Sequence, residues 1–342
     1  MPLPPVTAEF TRGWAKHAHG SPLYKELVEV VAEDSELLRV MNRIGHLPPP
    51  NLMFGAVQYL LMEGEDAEFA RHYRSIVDDP APPEGVGPKF RSFVLAHEEE
   101  IVEMGHTRYT QTNECRRCVA LLPMVTMAEF RAFHLIDVGT SAGLNLGLDR
   151  YGYRYDEVEW HPAAEPLLEA ESRGVSPELA EIEVLSRTGL DLNPLDPADA
   201  SARRWLDALI WPEQVERRAR LRSALDMAAD LDIDMIAGDA LDTLPMALDI
   251  LPAGEPAVVM SSFTLNQLDA AQRDDLDSIV SGARSARPVH RVSMEVLDKA
   301  DDWARLVVDD GSGPSTVGQA HPHGEWIELY SQTRSKTGSR RR

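Results

Sequence analysis

From Phe130 onward, short apolar runs closed by Gly, Pro or Asp alternate with longer stretches of helical periodicity. Short apolar runs read as strands buried on both faces, and parallel strands need connections long enough to hold a helix. The alternation therefore argues for an α/β domain with a mostly parallel sheet. The predicted strands are Phe133 to Val138, Glu183 to Leu190, Asp234 to Ala237, Ala257 to Ser261 and Val289 to Met294, with helices over Ala200 to Ala229 and Ala270 to Ala283 crossing between them. Two later runs, Ala304 to Val308 and Trp326 to Tyr330, are separated by DDGSGPSTVGQAHPHGE and read as a C-terminal antiparallel hairpin. The block Tyr151 to Ile182 fits no regular strand-helix step and reads as an insertion, at about 151–182, in a domain covering 131–335.

The first 130 residues read as an all-helical region. Ser21-Pro22 supplies an N-cap and first helical position before LYKELVEVVAED, whose apolar residues recur at three and four spacing. Further helices are predicted over Ser35 to Ile44, Asn51 to Met62 after a stop at Pro48-Pro49-Pro50, Asp66 to Val77, Lys89 to Met104 and Thr107 to Leu122. DDPAPPEGVGP, from Asp78 to Pro88, is a loop. The last residues, 336–342, read as a disordered basic tail. A length of 342 residues with 43% hydrophobic content is ample for a buried core. The formal charge of -22 repels phosphate backbones and anionic membranes, which disfavours nucleic acid and membrane partners. No export signal is visible, Asn51 to Met62 is far short of the ~20 residues a spanning helix needs, and two cysteines suit a reducing cytoplasm.

The turn after the first strand, Gly139-Thr-Ser-Ala-Gly143, supports competing readings. A dinucleotide fingerprint fails, because Ser141 and Leu144 stand where its second and third glycines belong. A serine hydrolase would use Ser141 in G-x-S-x-G, with Asp239 and His321 or His323 as partners, but everything upstream is helical and no HGGG-like segment is present. The third reading is a nucleoside-cofactor site. Asp137 could hold a cationic amine, while Gly139 and Gly143, with small Ser141 and Ala142 between them and Asn145 just beyond, admit a ligand close to the backbone. Asp191 ends the second strand, where a carboxylate suits the vicinal hydroxyls of a ribose. Asp239-Ala240 follows the third strand and could meet an adenine, and Ser261 ends the fourth.

This serial order resembles the Rossmann-like class I S-adenosylmethionine-dependent methyltransferase fold. More narrowly, the chain resembles the bacterial domain-of-unknown-function family numbered 2332, through QTNE at 111–114, VGTSAGLNLGLDRYGYRY at 138–155, GLDLNPLD at 189–196, GDALDTLP at 238–245 and HPHGEWIEL at 321–329. The resemblance implies S-adenosylmethionine as cofactor, with Asp137, Gly139 and Gly143 near its methionine part, Asp191 at the ribose and Asp239 at the adenine. Ser141 departs from the usual pattern, which has a middle glycine there.

Methyl transfer needs alignment and sometimes a base. Glu295 ends the fifth strand, and His321 and His323 begin the last strand at the same rim, so these three are the candidate catalytic residues; a turn whose imidazoles cap carbonyls is the alternative for the histidines. A metal at His321, His323 and Glu295 lacks a third histidine, and Cys115-Arg-Arg-Cys118 is half a zinc site at most, so no metal is expected. Asn113, Glu114 and Arg117, on the predicted helix 107–122, are candidates for choosing a small-molecule acceptor, with an intrahelical Glu114–Arg117 pair as the plain alternative. SSFT at 261–264 stands where a nucleic-acid amino methyltransferase carries an N-P-P-Y-like segment. The leading expectation is a methyltransferase acting on a small molecule, and a non-catalytic cofactor-binding protein is the second.

Overall fold

The computed structural model describes residues 5–14, 20–298 and 301–331, and the tail 336–342 lies outside them. The helices are α1 (Ala8–Trp14), α2 (Pro22–Glu33), α3 (Ser35–Met41), α4 (Pro49–Glu63), α5 (Ala67–Ala70), α6 (Gly87–Ala96), α7 (Glu98–Thr107), α8 (Cys118–Val125), α9 (Ala200–Ala208), α10 (Val215–Ala229), α11 (Ala240–Asp249) and α12 (Ala270–Ala283). The strands are β1 (Ala132–Val138), β2 (Gly152–Tyr155), β3 (Val158–Trp160), β4 (Leu167–Gly174), β5 (Glu183–Asp191), β6 (Asp234–Ala237), β7 (Ala257–Ser262), β8 (Val289–Glu295), β9 (Ala304–Asp309), β10 (Ser315–Ala320) and β11 (Trp326–Leu329). No described helix is long and apolar enough to cross a membrane. The chain divides into two compact units, one of residues 1–113 with 197–222, the other of 114–196 with 223–342.

In the second unit all strands join one sheet in the order β3-β2-β4-β11-β10-β9-β8-β7-β1-β5-β6. The block β6-β5-β1-β7-β8 is parallel throughout. α11 and α12 cover one face through Leu244, Leu248, Leu276 and Val280, packed with Ile136, Val138 and Val259. The other face takes α8, an apolar helix whose residues are all buried. Alternation along β8 shows both sides: Arg291 pairs with Asp277 of α12, whereas Nε2 of His290 lies 3.0 Å from the Met124 carbonyl oxygen of α8.

The C-terminal hairpin holds one more strand than the sequence suggests. Residues 315–320, expected as loop, form β10, so β9, β10 and β11 make an antiparallel meander. Apart from Val317, the apolar content of that segment is small, and Gly318 fits only because a side chain there would strike the Glu328 carbonyl oxygen. Residues 151–182 supply β2, β3 and β4, which extend the sheet beyond β11 through parallel pairing with β4. The tyrosines Tyr151, Tyr153 and Tyr155 are buried, and their hydroxyls donate to the carbonyls of Leu144, Leu148 and Val119. Each buried hydroxyl thus has its partner, which makes a polar-tipped run tolerable in a core.

The helical unit departs from the sequence reading at its breaks. Ser21 caps α2 as expected, its Oγ accepting the Tyr24 N–H at 3.1 Å. Pro49 and Pro50 open α4 instead of closing a preceding segment, because the first turn has no use for their missing N–H groups. The stretch 66–77 keeps only the short α5 before turns that carry Tyr73 into the core. Lys89 to Met104 is two helices broken at His97, which sets Glu98, Glu99 and Glu100 in the first turn of α7 against the helix's positive end. Glu98 bonds Arg39 and Arg43 and is held down to about 2, mainly by the Arg39 hydrogen bond. Residues 107–122 are not one helix: the chain is irregular from 108 to 114, makes a 3-10 turn at Cys115–Arg117, and only then enters α8. Ala200 to Ala229 likewise splits around Trp211-Pro212 into α9 and α10.

That split is held by buried polar groups. The Gln58 side-chain amide donates to the carbonyls of Ala208 at 2.7 Å and Ile210 at 2.8 Å, and its oxygen accepts from Ser75 at 2.8 Å. Asp207 accepts from Arg218 and Arg222, and Arg218 also donates to the Ile210 carbonyl at 3.0 Å. Removing one partner of a buried pair leaves the other uncompensated and costs about 3–5 kcal/mol. Asp207→Ala is therefore expected to destabilise the helical unit by about that much in urea unfolding. Arg222→Ala, whose side chain is 59% exposed, should cost about 1 kcal/mol or less. Equal effects from the two would refute this account.

Candidate functional site

From β1 the chain proceeds to β5 and β6 on one side and to β7 and β8 on the other. Where strand order reverses in this way, connections leave in opposite directions and a crevice opens beyond the carboxyl ends. Asp137, the turn 139–143, Asp191, Asp239, Ala240, Ser261 and Glu295 all lie at this edge. Two antiparallel steps beyond β8, β10 again runs the same way, so the turn carrying His321 and His323 lies at that edge too.

The turn after β1 is built on left-handed backbone, with φ of +80° at Gly139, +52° at Ser141 and +75° at Gly143. The N–H groups of Gly139 and Thr140 both donate to the Leu190 carbonyl, at 2.7 and 3.1 Å. Asp191 ties the neighbouring turns together: one carboxylate oxygen accepts the Ser141 N–H and the other the Asn193 N–H, each at 2.8 Å. A carboxylate with two bonds has lone pairs left for more donors. The sequence reading has Gly139 admitting a ligand. Here it admits Thr264, whose Oγ1 fills the space that a Cβ at 139 would need. Asn145 is turned toward the interior, its side-chain oxygen 3.5 Å from the Cys118 sulfur.

The ends of β1, β7 and β8 gather a set of buried oxygens. Among the described residues, Asp137 Oδ2, Thr140 Oγ1, Ser261 Oγ, Ser262 Oγ and Glu295 Oε2 find no hydrogen-bond partner of good geometry, although the Ser261 hydroxyl lies near enough to Glu295 to work against its shift. Buried polar atoms are normally satisfied, so a cluster of exceptions marks a place for donors from outside the chain. Asp137 is 1% exposed, and burial pushes its carboxyl up to about 8, helped by the charges of Asp191 and Glu295 and opposed by the Thr140 hydroxyl and the Arg117 guanidinium. That hydroxyl lies close without a hydrogen bond of good geometry. Burial also raises Glu295, while the Thr264 N–H, 3.1 Å from its Oε1, works against the shift.

Arg117 links this cluster to the histidine turn. Its guanidinium carbon lies 4.2 Å above the Phe263 ring, and its Nε donates to the Pro322 carbonyl at 3.0 Å. Glu114 stands just before the 3-10 turn and caps it, its carboxylate accepting the Arg116 N–H at 3.2 Å. His321 Nδ1 accepts the His323 N–H at 3.2 Å. Burial lowers the His321 pKa, with Arg116 and Arg173 adding to the effect against Glu325. The ring is then neutral with its proton on Nε2, a donor rather than a base. Asn113 belongs to the other compact unit. Among the described residues, no group of three or more His, Cys, Asp or Glu could hold a metal ion.

Asp239 caps α11, accepting the Leu241 N–H at 2.9 Å, and its side chain is exposed on the edge strand's turn. Relative to Ser141, Asp239 follows a strand two places away in one direction and the histidine turn follows a strand four places away in the other. At ~4.8 Å per strand these are offsets of about 10 and 19 Å along the sheet. The sequence reading takes the hydroxyl residues Ser261 and Ser262 as the end of the fourth strand but singles out neither Thr140 nor Thr264. It also missed Leu192, 74% exposed directly after Asp191, although an apolar residue at a strand-end acid followed by Asn-Pro was a readable sign of an exposed contact.

No curated protein matches the sequence. The family model described as an uncharacterized protein conserved in bacteria, DUF2332, matches residues 8–329, nearly the whole chain. The chain therefore belongs to this bacterial family.

Proposed function

We propose that the protein binds S-adenosylmethionine at the carboxyl edge of β6-β5-β1-β7-β8 and transfers its methyl group to a small molecule, in a Rossmann-like methyltransferase domain. The observation that carries this reading is that Asp137, Asp191 and Asp239 stand at the carboxyl ends of three adjacent parallel strands, where the strand order reverses.

The residues present suit the cofactor. The partnerless Oδ2 of Asp137 accepts an ammonium. Asp191 is held rigidly by two main-chain N–H groups and keeps lone pairs for a ribose diol. Leu192 offers an exposed apolar contact, with Asp239 and Ala240 farther along the edge for an adenine. The bound sulfonium would supply the electrophilic methyl carbon. The protein's part is alignment and the movement of one proton. Glu295 and His323 are its candidate proton acceptors, while His321, whose Nδ1 accepts the His323 N–H, orients the turn. Binding without transfer is the second reading, favoured by that commitment of His321.

Isothermal titration with S-adenosylmethionine and S-adenosylhomocysteine should show binding to the wild type, weakened about tenfold or more in Asp191→Ala through loss of charge-assisted hydrogen bonds. Absence of heat and of thermal shift with either compound would remove the proposal. The Asp137 carboxyl gives a second check. Below pH 4 folded and unfolded chains both hold its proton, and between there and about 8 only the folded chain does. The folded state then binds more protons, so stability falls as pH rises through this window and the contribution is fully lost above it. Asp137→Asn should flatten that part of the urea-midpoint profile, and an unchanged slope would contradict the assignment.

A further inference from the structure

At the opposite end of β1, the amino edge of the sheet, a second constellation involves none of the residues above. Nδ1 of His134 lies 2.7 Å from Oγ of Ser186 on β5, and its Nε2 lies 2.7 Å from Oε2 of Glu255, in the loop before β7. Hydroxyl, imidazole and carboxylate stand in line. With Glu255 accepting from Nε2–H, the ring proton is on Nε2, and the bare Nδ1 accepts the Ser186 hydroxyl proton. That is the arrangement in which a serine is activated by a base that a third group orients.

The sheet is specially built to make it. β1 and β5 pair in regular register at Phe133↔Val184, so the next pair would set Leu185 opposite His134. A bulge intervenes, and Ser186 takes that place instead. Bulges re-aim side chains and interrupt the ladder locally, which leaves main-chain groups beside Ser186 outside the regular pairing. The acid is positioned as firmly. Arg287, 7% exposed, donates to the carbonyls of Leu251 at 3.1 Å, Pro252 at 2.9 Å and Glu255 at 3.3 Å, and so pins the loop. The group is reachable from solvent: Ser186 is half-buried, the Glu255 side chain is 47% exposed and neighbouring Leu185 is 44% exposed, while His134 itself is 6% exposed.

The geometry points to Ser186 as the nucleophile of a second, hydrolytic site for short acyl esters, with His134 as its base and Glu255 as the positioning residue. Ser186 Oγ attacks the ester carbonyl carbon as its proton passes to His134 Nδ1. The carbon–oxygen bond to the alcohol breaks, and the departing oxygen takes that proton from Nδ1. Water then attacks the acyl-serine, giving its proton to Nδ1, and Ser186 regains it as the carboxylic acid leaves. The main-chain groups beside the bulge are where the carbonyl oxygen would gather its charge.

The test uses the full chain with a fluorophosphonate probe, peptide mapping of the adduct, and hydrolysis of p-nitrophenyl acetate and butyrate. The expected adduct is on Ser186, with hydrolysis lost by on the order of 10²-fold or more in Ser186→Ala and in His134→Ala. Glu255→Gln should lower kcat with little change in KM, and Glu255→Asp should restore part of it. Ser186 is half-buried, so Ser186→Ala and Ser186→Thr are both measured after a thermal melt shows each folded, and these two variants decide the matter if His134→Ala unfolds. An unlabelled wild type, an adduct on any other residue, or hydrolysis that survives both Ser186 substitutions overturns the assignment.

Discussion

β1 is buried on both faces, and the arrangement of the sheet unit follows from that constraint. Phe133, Leu135, Ile136 and Val138 are at most 1% exposed, and Ile136 and Val138 pack with the apolar residues of α11 and α12. A strand so enclosed can carry polar side chains only near its ends, where turns and loops bring partners. β1 has one at each end. His134 meets Ser186 and Glu255 at the amino edge, and Asp137 meets Thr140 and the charges of Asp191, Glu295 and Arg117 at the carboxyl edge. The two candidate sites are thus consequences of a single central strand, separated by its length.

The strands were largely legible in the sequence because burial on both faces leaves continuous apolar runs, as in FHLIDV and AVVMS. Where burial is one-sided or the residues are small, the signal fades: STVGQA forms β10 although it looks like loop, and the tyrosine-rich β2 buries its hydroxyls against the nearby Leu148 carbonyl and the distant Val119 carbonyl. Helices were found but their ends were misjudged, since periodicity does not register where packing turns the chain. At His97 the break sets Glu98 against Arg39 and Arg43, and around Pro212 Gln58 and Arg218 receive the carbonyls that the gap exposes. Arg39, Arg43 and Gln58 lie far from these breaks in sequence, and only the folded unit brings them in.

The same limit applies to the sites. Acids at strand ends could be read because turn chemistry is local, and Asp137, Asp191 and Asp239 lie where the alternation puts them. That Thr264 fills the space beside Gly139 could not be read, nor that a bulge brings Ser186 rather than Leu185 over His134. G-T-S-A-G drew attention to Ser141 as a nucleophile, while the serine with a histidine and an acid in line is Ser186, inside a strand with no motif around it.

The chain's buried acids show two ways of carrying a carboxyl out of water. Asp207 stays paired, its oxygens taken up by Arg218 and Arg222, a solution that stabilises only while every partner is present. Asp137 has Arg117 in electrostatic reach, but burial prevails and the carboxyl keeps its proton to about pH 8, with Oδ2 unpartnered among the described residues. A protonated acid without its hydrogen bond contributes nothing that an apolar residue could not, and costs the desolvation of a polar group. Its physical advantage arises only when a donor or a cation arrives, since binding then supplies the missing bond and drives the proton off. This difference between the two acids is the reason to look for a ligand at the end of β1 and not at the join of α9 and α10.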